Sequence, residues 1–212
     1  MHKAHPVIRG NKTIITKWFR QASLGIAKKE ELNKHIKTFT KKGFKKSNLD
    51  NKLFKKLNSF YKEKKDKFTD EYVAGGFIQS DISEVPSSLL DLTDDLRQDI
   101  HSSLKKPLEE WSQSNLEPTF VYGIRDYKEG AVLVPHRDRE NTHIISAIIN
   151  ISKDVDEDWP LVIEDHFYRK HEIFLDPGEV IFYESARLLH GRPYPLNGKS
   201  FANIFCHYRP ID

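Results

Sequence analysis

The chain has 212 residues, of which 38% are apolar and 31% charged. This composition is typical of a globular protein with one large domain, and it excludes a disordered or fibrous chain. No stretch approaches the roughly 20 apolar residues of a membrane-spanning helix, and the N-terminus carries no apolar signal segment. Because Cys206 is the single cysteine, an internal disulfide and a C-x-x-C zinc motif are both excluded, and we expect a reducing, cytoplasmic setting.

Charge is distributed unevenly along the chain. Residues 1–70 hold 20 Lys and Arg against 6 Asp and Glu, whereas residues 71–212 hold 14 against 25. Such an asymmetry can mark a surface for nucleic acid or another acidic partner. Aromatic residues are not interleaved with the lysines as a base-stacking platform requires, so solvated helix faces are the simpler interpretation.

The first half of the chain predicts helices. Apolar residues recur at helical spacing between lysines in KKEELNKHIKTFTKK and in NLDNKLFKKLNSFYKEKKDKF, where Asn48 or Asp50 can cap the helix. The segment VPSSLLDLTDDLRQDIHSSLKKPLEEW predicts one or two more helices that begin at Ser87 or Ser88. We therefore expect residues 1–117 to form a mainly helical N-terminal support region.

The second half predicts strands. From Pro118 onward, β-rich runs such as TFVYGIRDY, HIISAIINI, VIFYES and SFANIFCHYRP alternate with turn signals. Seven or eight such runs, with no useful helix between them, favour an antiparallel sandwich or jelly roll over residues 118–212. The N-terminal helices would pack on one of its sheets, which gives a single α+β structural domain.

His136 and Asp138, in the stretch VPHRDRENTH, are candidate metal ligands. Two residues apart on a strand, their side chains point to the same face. A third ligand must come from another strand, and His190 is favoured because a strand led by a Pro-Gly turn precedes it. Two histidines and one carboxylate leave open positions on an octahedral metal, which suits non-haem Fe(II). The other histidines considered were His143, His166, His171 and His207.

A dicarboxylate cosubstrate such as 2-oxoglutarate would need a buried cation for the carboxylate that does not touch the metal. Lys199 lies nine residues after His190 and, by strand alternation, shares a face with Phe201. A lysine that faces inward is costly unless an anion meets it. The spacing therefore predicts that Lys199 binds this carboxylate.

From about residue 119 to residue 210 the chain resembles the iron(II)- and 2-oxoglutarate-dependent dioxygenases of the prolyl 4-hydroxylase type. RDYKEGAVLVPHRD, DPGEVIFYES and LLHGRPYPLNGKSFANIF carry the resemblance, in this order. It implies a distorted double-stranded β-helix, a cupin-like jelly roll, in which His136, Asp138 and His190 bind iron. Lys199 would hold the far carboxylate of 2-oxoglutarate, and Tyr127 would give it a hydroxyl.

The resemblance implies hydroxylation of a prolyl residue in a peptide or protein, with O₂ as second cosubstrate and ascorbate as reductant. Arg192 and Arg209 are alternatives to Lys199, and Arg187, Arg192, His143 and Asn203 could contact a substrate. Other readings stay open: a hydroxylase of a free amino acid or other small molecule, an oxidative nucleic-acid demethylase, or a non-enzymatic jelly-roll binding module stabilised by a metal.

Overall fold

The computed structural model describes residues 28–31 and 33–211. One compact unit begins at Ile36 and runs to the end of the chain, and the described residues before it belong to a separate unit. The larger unit contains two α-helices, α1 (Asn51–Glu63) and α2 (Asp94–Ser112), and a short 3₁₀ turn, Lys65–Lys67. None of the described helices is both long and apolar enough to cross a bilayer.

In the part of the chain that the structure describes, twelve strands form two antiparallel sheets. The larger sheet has the order β1-β10-β7-β12-β5-β4-β2, and the smaller sheet has the order β3-β6-β11-β8-β9. This architecture confirms the expected α+β jelly roll. The strands are β1 (Phe44–Asn48), β2 (Thr69–Asp70), β3 (Ile78–Gln79), β4 (Ser87–Leu90), β5 (Leu116–Tyr127), β6 (Val132–His136), β7 (Ile145–Val155), β8 (Leu161–Glu164), β9 (Lys170–Ile173), β10 (Glu179–Tyr183), β11 (His190–Arg192) and β12 (Gly198–Pro210).

The larger sheet separates two apolar cores. On one face, the helices bury side chains such as Leu57 and Ile100 against Ile149 and Ile204. On the other face, between the sheets, a second cluster includes Tyr127, Ile148, Trp159 and Phe201. Because successive strand residues point to opposite faces, β7 and β12 contribute to both cores. The helices therefore pack on one sheet, as expected, and leave the space between the sheets for the site.

Helix α1 begins where the sequence predicts. The side chain of Asp50 accepts a hydrogen bond from the backbone N–H of Leu53 at 2.9 Å, which satisfies one of the free donors of the first turn. Thr93 caps α2 in the same way through the N–H of Leu96. Helix α2 then continues through Pro107 to Ser112, so the last helical segment of the sequence is one helix.

Two of the predicted helices are wrong in their extent. Ser87–Leu90 is a strand because its backbone pairs with β5, and the helix starts only after Thr93. In KKEELNKHIKTFTKK the described helical residues end at Asn33, and Leu32 lies outside the described residues. The part of the chain before residue 118 therefore supplies strands β1 to β4 as well as the helices.

Residues 39–40, which follow the helical residues that end at Asn33, are held by a buried carboxylate instead of helical hydrogen bonds. Glu184, 1% exposed, accepts hydrogen bonds from the backbone N–H groups of Phe39 and Thr40, and from the Thr40 hydroxyl. The ring of His166 lies 3.1 Å from the same carboxylate. These contacts fix residues 39–40 beside the end of β10, next to the candidate site.

Candidate active site

The three predicted metal ligands meet between β6 and β11. The two strands pair antiparallel, and His136 at the end of β6 stands opposite His190 at the start of β11. Their ring centroids are 4.7 Å apart. Asp138 lies two residues beyond β6, where its backbone N–H donates to the carbonyl of Ser185 at 3.0 Å. The jelly roll thus brings together residues that are 54 positions apart in the chain.

The ligand atoms converge on one point. Nε2 of His136 lies 3.5 Å from Oδ1 of Asp138, and Nε2 of His190 lies 3.9 Å from the same oxygen. One ligand atom from each residue lies within 4.8 Å of the others. In both histidines Nδ1–H donates to a backbone carbonyl, of Val134 and Leu188 respectively, at 2.7 and 2.9 Å. These bonds leave the Nε2 lone pairs free for a metal, as is common for metal-binding histidines.

The electrostatics of the centre also fit a cation. Burial lowers the pKa of His190 to about 4, so this imidazole is neutral at neutral pH. Burial alone would raise the pKa of Asp138, but the closeness of His136, 3.5 Å away, and of His190 and His207 outweighs burial and holds the pKa well below its usual range. Oδ2 of Asp138 is buried without a hydrogen-bond partner in the described part of the chain. A carboxylate oxygen left in this state is what a metal ion would satisfy.

A second group of unpaired polar atoms lies deeper between the sheets. Arg192, 1% exposed, donates from Nη1 to the carbonyl of Trp159, and its guanidinium stacks 4.7 Å from the Trp159 ring and 4.4 Å from the Phe201 ring. Its Nη2 and the hydroxyl of Tyr127 are both buried without a partner among the described residues. Burial lowers the pKa of Arg192 to about 10, so the guanidinium keeps its charge at neutral pH.

Lys199 does not reach this pocket. Its side chain is 85% exposed and lies 3.8 Å from the carboxylate of Asp154 on the surface. The expectation that it faces inward fails because β12 contains a bulge: Gly198 and Ser200 stand opposite consecutive residues of β7, which leaves Lys199 as the extra residue. The alternation that relates Lys199 to Phe201 is interrupted at this point.

The other predicted site residues have different surroundings. Arg187 donates to the carbonyl of Ile36 and to His166, and Arg209 pairs with Glu117 at the surface. Asn203 is buried and accepts from the amide of Asn150 at 3.1 Å. His143 lies beside the centre, where its ring stacks on His207 with centroids 3.9 Å apart.

His207 is an additional residue of the candidate centre. The sequence indicated it only as one of several histidines that could supply the third metal ligand. Its Nδ1 lies 3.9 Å from Oδ2 of Asp138 and 2.7 Å from the hydroxyl of Ser146. Burial lowers its pKa to about 3. Ser185 bonds to Ser146 at 2.6 Å and completes this group. Strand alternation along β12 places His207 on the inner face, but the sequence has no signal that identifies Ser185.

The sequence matches no protein-family model and no curated protein sequence. Solved structures do match. HygX from Streptomyces hygroscopicus, with nickel, 2-oxoglutarate and hygromycin B bound, has a TM-score of 0.58 and 14% identity over 80% of this chain and 84% of its own. The chain shares its fold. A Pseudomonas putida prolyl-4-hydroxylase has a TM-score of 0.53 and 14% sequence identity, and the match covers 81% of this chain and 94% of the hydroxylase chain. A Trichoplax adhaerens prolyl hydroxylase, in complex with a hypoxia inducible factor peptide fragment, has a TM-score of 0.56 and 13% sequence identity. This match covers 89% of this chain and 94% of the hydroxylase chain.

Metal affinity should depend on pH through His136. Burial lowers the pKa of this ring, but its contacts with Asp138 and the Val134 carbonyl outweigh burial and raise the pKa above the ordinary value of a histidine. A proton on Nε2 blocks the ligand, so affinity for Ni(II), a redox-stable substitute for iron, should fall as the pH drops from about 8 to about 6. Titration calorimetry measures this. His171→Gln, outside the centre, should show the same dependence, and an affinity that stays constant would contradict the assignment.

Proposed function

We propose that the chain is a non-haem iron(II)- and 2-oxoglutarate-dependent oxygenase. The observation that carries the proposal is the pairing of two incomplete sites in one buried space. The His136, Asp138 and His190 cluster presents free ligand atoms, and Arg192 and Tyr127 present unpaired donors beyond it. The first set suits a divalent metal that keeps open positions, and the second set suits a carboxylate.

The spacing of the two sites fits a short dicarboxylate. His190 and Arg192 are two residues apart on β11, so both face the interior, and their Cα atoms are about 6.7 Å apart along an extended strand. A 2-oxoglutarate bound to the metal through its keto acid would direct its other carboxylate toward Arg192. If bound there, Fe(II) and 2-oxoglutarate would supply the oxidation of a C–H bond by O₂, which protein side chains cannot perform.

Arg192 is the strongest candidate for the carboxylate among the described basic residues near the pocket. Arg125 also lies close, but Nε and Nη2 form two hydrogen bonds to the carboxylate of Glu71, at 2.6 and 2.7 Å, so its charge is already balanced. The Arg192 guanidinium has two aromatic rings and a carbonyl as neighbours. A buried unpaired charge is costly, and a bound carboxylate offsets that cost.

The first test is turnover without an added substrate. With Fe(II), ascorbate and O₂, the purified protein should convert 2-oxoglutarate slowly to succinate, as measured by mass spectrometry. His136→Ala and Asp138→Ala should abolish this turnover because each removes a metal ligand. His171→Gln serves as the folded control. Undiminished succinate in the two alanine variants would refute the proposed metal centre.

The second test separates Arg192 from Lys199. Arg192→Gln should raise the KM for 2-oxoglutarate about 10- to 100-fold, because hydrogen bonds to a charged group contribute roughly 1.5–3 kcal/mol. Lys199→Ala should leave the KM unchanged, since its side chain is solvated. Both values come from succinate formation at varied 2-oxoglutarate concentrations. The reverse pattern would restore Lys199 as the carboxylate ligand.

A prolyl residue of a peptide or protein is the proposed substrate. Two of the structures that share the fold are prolyl hydroxylases, one of them in complex with a peptide fragment. The candidate centre is also reachable from outside, since the side chains of His136 and Asp138 are 17% and 14% exposed.

A panel of proline-containing peptides tests this choice. After reaction, mass spectrometry should detect peptides that have gained one oxygen at proline, and the gain should disappear with His190→Ala. Succinate formation without any oxidised peptide would count against the prolyl substrate and for a small molecule. HygX, with hygromycin B bound, shows that an enzyme of this fold can hold a small molecule.

A further inference from the structure

Residues 36–67 carry a large excess of positive charge. They contain twelve lysines but only three acidic residues. In the described part of the chain, the lysines of this segment that form ion pairs with carboxylates are Lys46, Lys56 and Lys67, and the other nine form none. The 35 residues that precede the segment contain eight Lys and Arg against two Glu, so they bring no net negative charge to balance it.

Lys45 lies on the free edge of the larger sheet. Its strand, β1, is the outermost strand in the described order and pairs with β10 alone. Lys45 stands opposite Phe182, which belongs to the helix-facing core. Because residues directly opposite each other in an antiparallel pair share a face of the sheet, Lys45 points to the side on which α1 packs. The residue is exposed there.

Helix α1 extends the positive charge of this face. Lys52, Lys55 and Lys62 are spaced three and seven residues apart, so they project from one side of the helix. All three are exposed, whereas Leu57 on the opposite side is buried. From Lys52 to Lys62 the helix rises about 15 Å. Since two residues separate β1 from α1, these three lysines and Lys45 form one exposed group, which we call the lysine surface.

The lysine surface lacks the apolar groups that several kinds of anionic partner require. Among the described residues, the exposed large apolar side chains begin only at Tyr72. A helix that lies on a membrane needs apolar residues that insert, and the centre of a protein interface is depleted in lysine and rich in aromatic residues. Single-stranded nucleic acid is held by stacking of its bases on aromatic rings. The phosphates of a duplex, in contrast, are bound by positive charge alone.

We propose that the lysine surface binds the phosphate backbone of double-stranded nucleic acid without reading its sequence. A duplex carries one phosphate about every 3.4 Å along each strand, so the 15 Å face of α1 spans about four phosphates of one strand. The four lysines of the surface can each neutralise one of them. This activity goes beyond the proposed oxygenase, and it uses none of the residues of the candidate site.

Binding of the full chain to a fluorescent duplex, followed by anisotropy at several salt concentrations, tests the proposal. The protein should bind DNA of about 20 base pairs whatever its sequence, and the logarithm of the affinity should fall with the logarithm of the salt concentration at a slope of about −3.6. The combined variant Lys52→Gln, Lys55→Gln and Lys62→Gln should reduce the slope to about −0.9, because each lost phosphate contact removes about 0.9.

The matched control is the combined variant Lys105→Gln, Lys170→Gln and Lys199→Gln, which removes the same charge from α2, β9 and β12 and should keep the slope. An equal loss in both variants would mean that net charge alone decides, and it would overturn the proposal. Absence of duplex binding at low salt, or binding of poly-glutamate or phosphatidylserine vesicles as tight as that of the duplex, would do the same. His136→Ala should bind the duplex unchanged, so the result is independent of the oxygenase assignment.

Discussion

The pairing of β6 with β11 is the constraint on which the site depends. β11 has three residues, and it is held on one side by β6 and on the other by β8. This short strand carries both a candidate metal ligand, His190, and the buried cation, Arg192. Because strand side chains alternate, a slip of one residue would turn both away from the interior. The pairing with β6 thus positions both the candidate metal ligand and the buried cation, although the register shifts between His190, opposite His136, and Arg192, opposite Leu133.

Two kinds of buried polar group lie in and beside the candidate site. Glu184 is fully enclosed, and donors from Phe39, Thr40 and His166 satisfy it. Asp138, Arg192 and Tyr127 each keep one buried atom without a hydrogen-bond partner among the described residues. Leaving such an atom without a partner costs roughly 1–3 kcal/mol, so a fold tolerates several of them where a ligand completes the bonds.

The sequence predicted those parts of the structure that depend on local pattern. The strands after residue 118 and the cap at Asp50 follow from alternation and from turn chemistry, and both are confirmed. The short strand β4 was mistaken for a helix because four residues of SSLL contain no decisive periodicity. Its state is decided by pairing with β5, which is a contact distant in sequence.

In the candidate site, too, the features that depend on local sequence pattern were predicted, and those that depend on contacts distant in sequence were not. His136, Asp138 and His190 meet as spacing and motif order predict. Lys199 was predicted to bind the cosubstrate because it lies nine residues after His190 and alternation relates it to Phe201, but a bulge between Gly198 and Ser200, which alternation in the sequence does not reveal, interrupts this relation. Arg192 follows His190 by two residues and was only an alternative, because its burial depends on residues distant in the sequence, Trp159 in the loop before β8 and Phe201 on β12.

The two faces of the larger sheet have a consequence for how the protein can change over time. Its helix-facing core, with residues such as Leu57, Ile100 and Ile149, is separate from the cluster that surrounds Tyr127 and Phe201. Substitutions in the first can alter folding stability with little direct effect on side chains that would touch a ligand. Substrate preference and thermal tolerance can therefore evolve, or be engineered, through different sets of positions on the same strands.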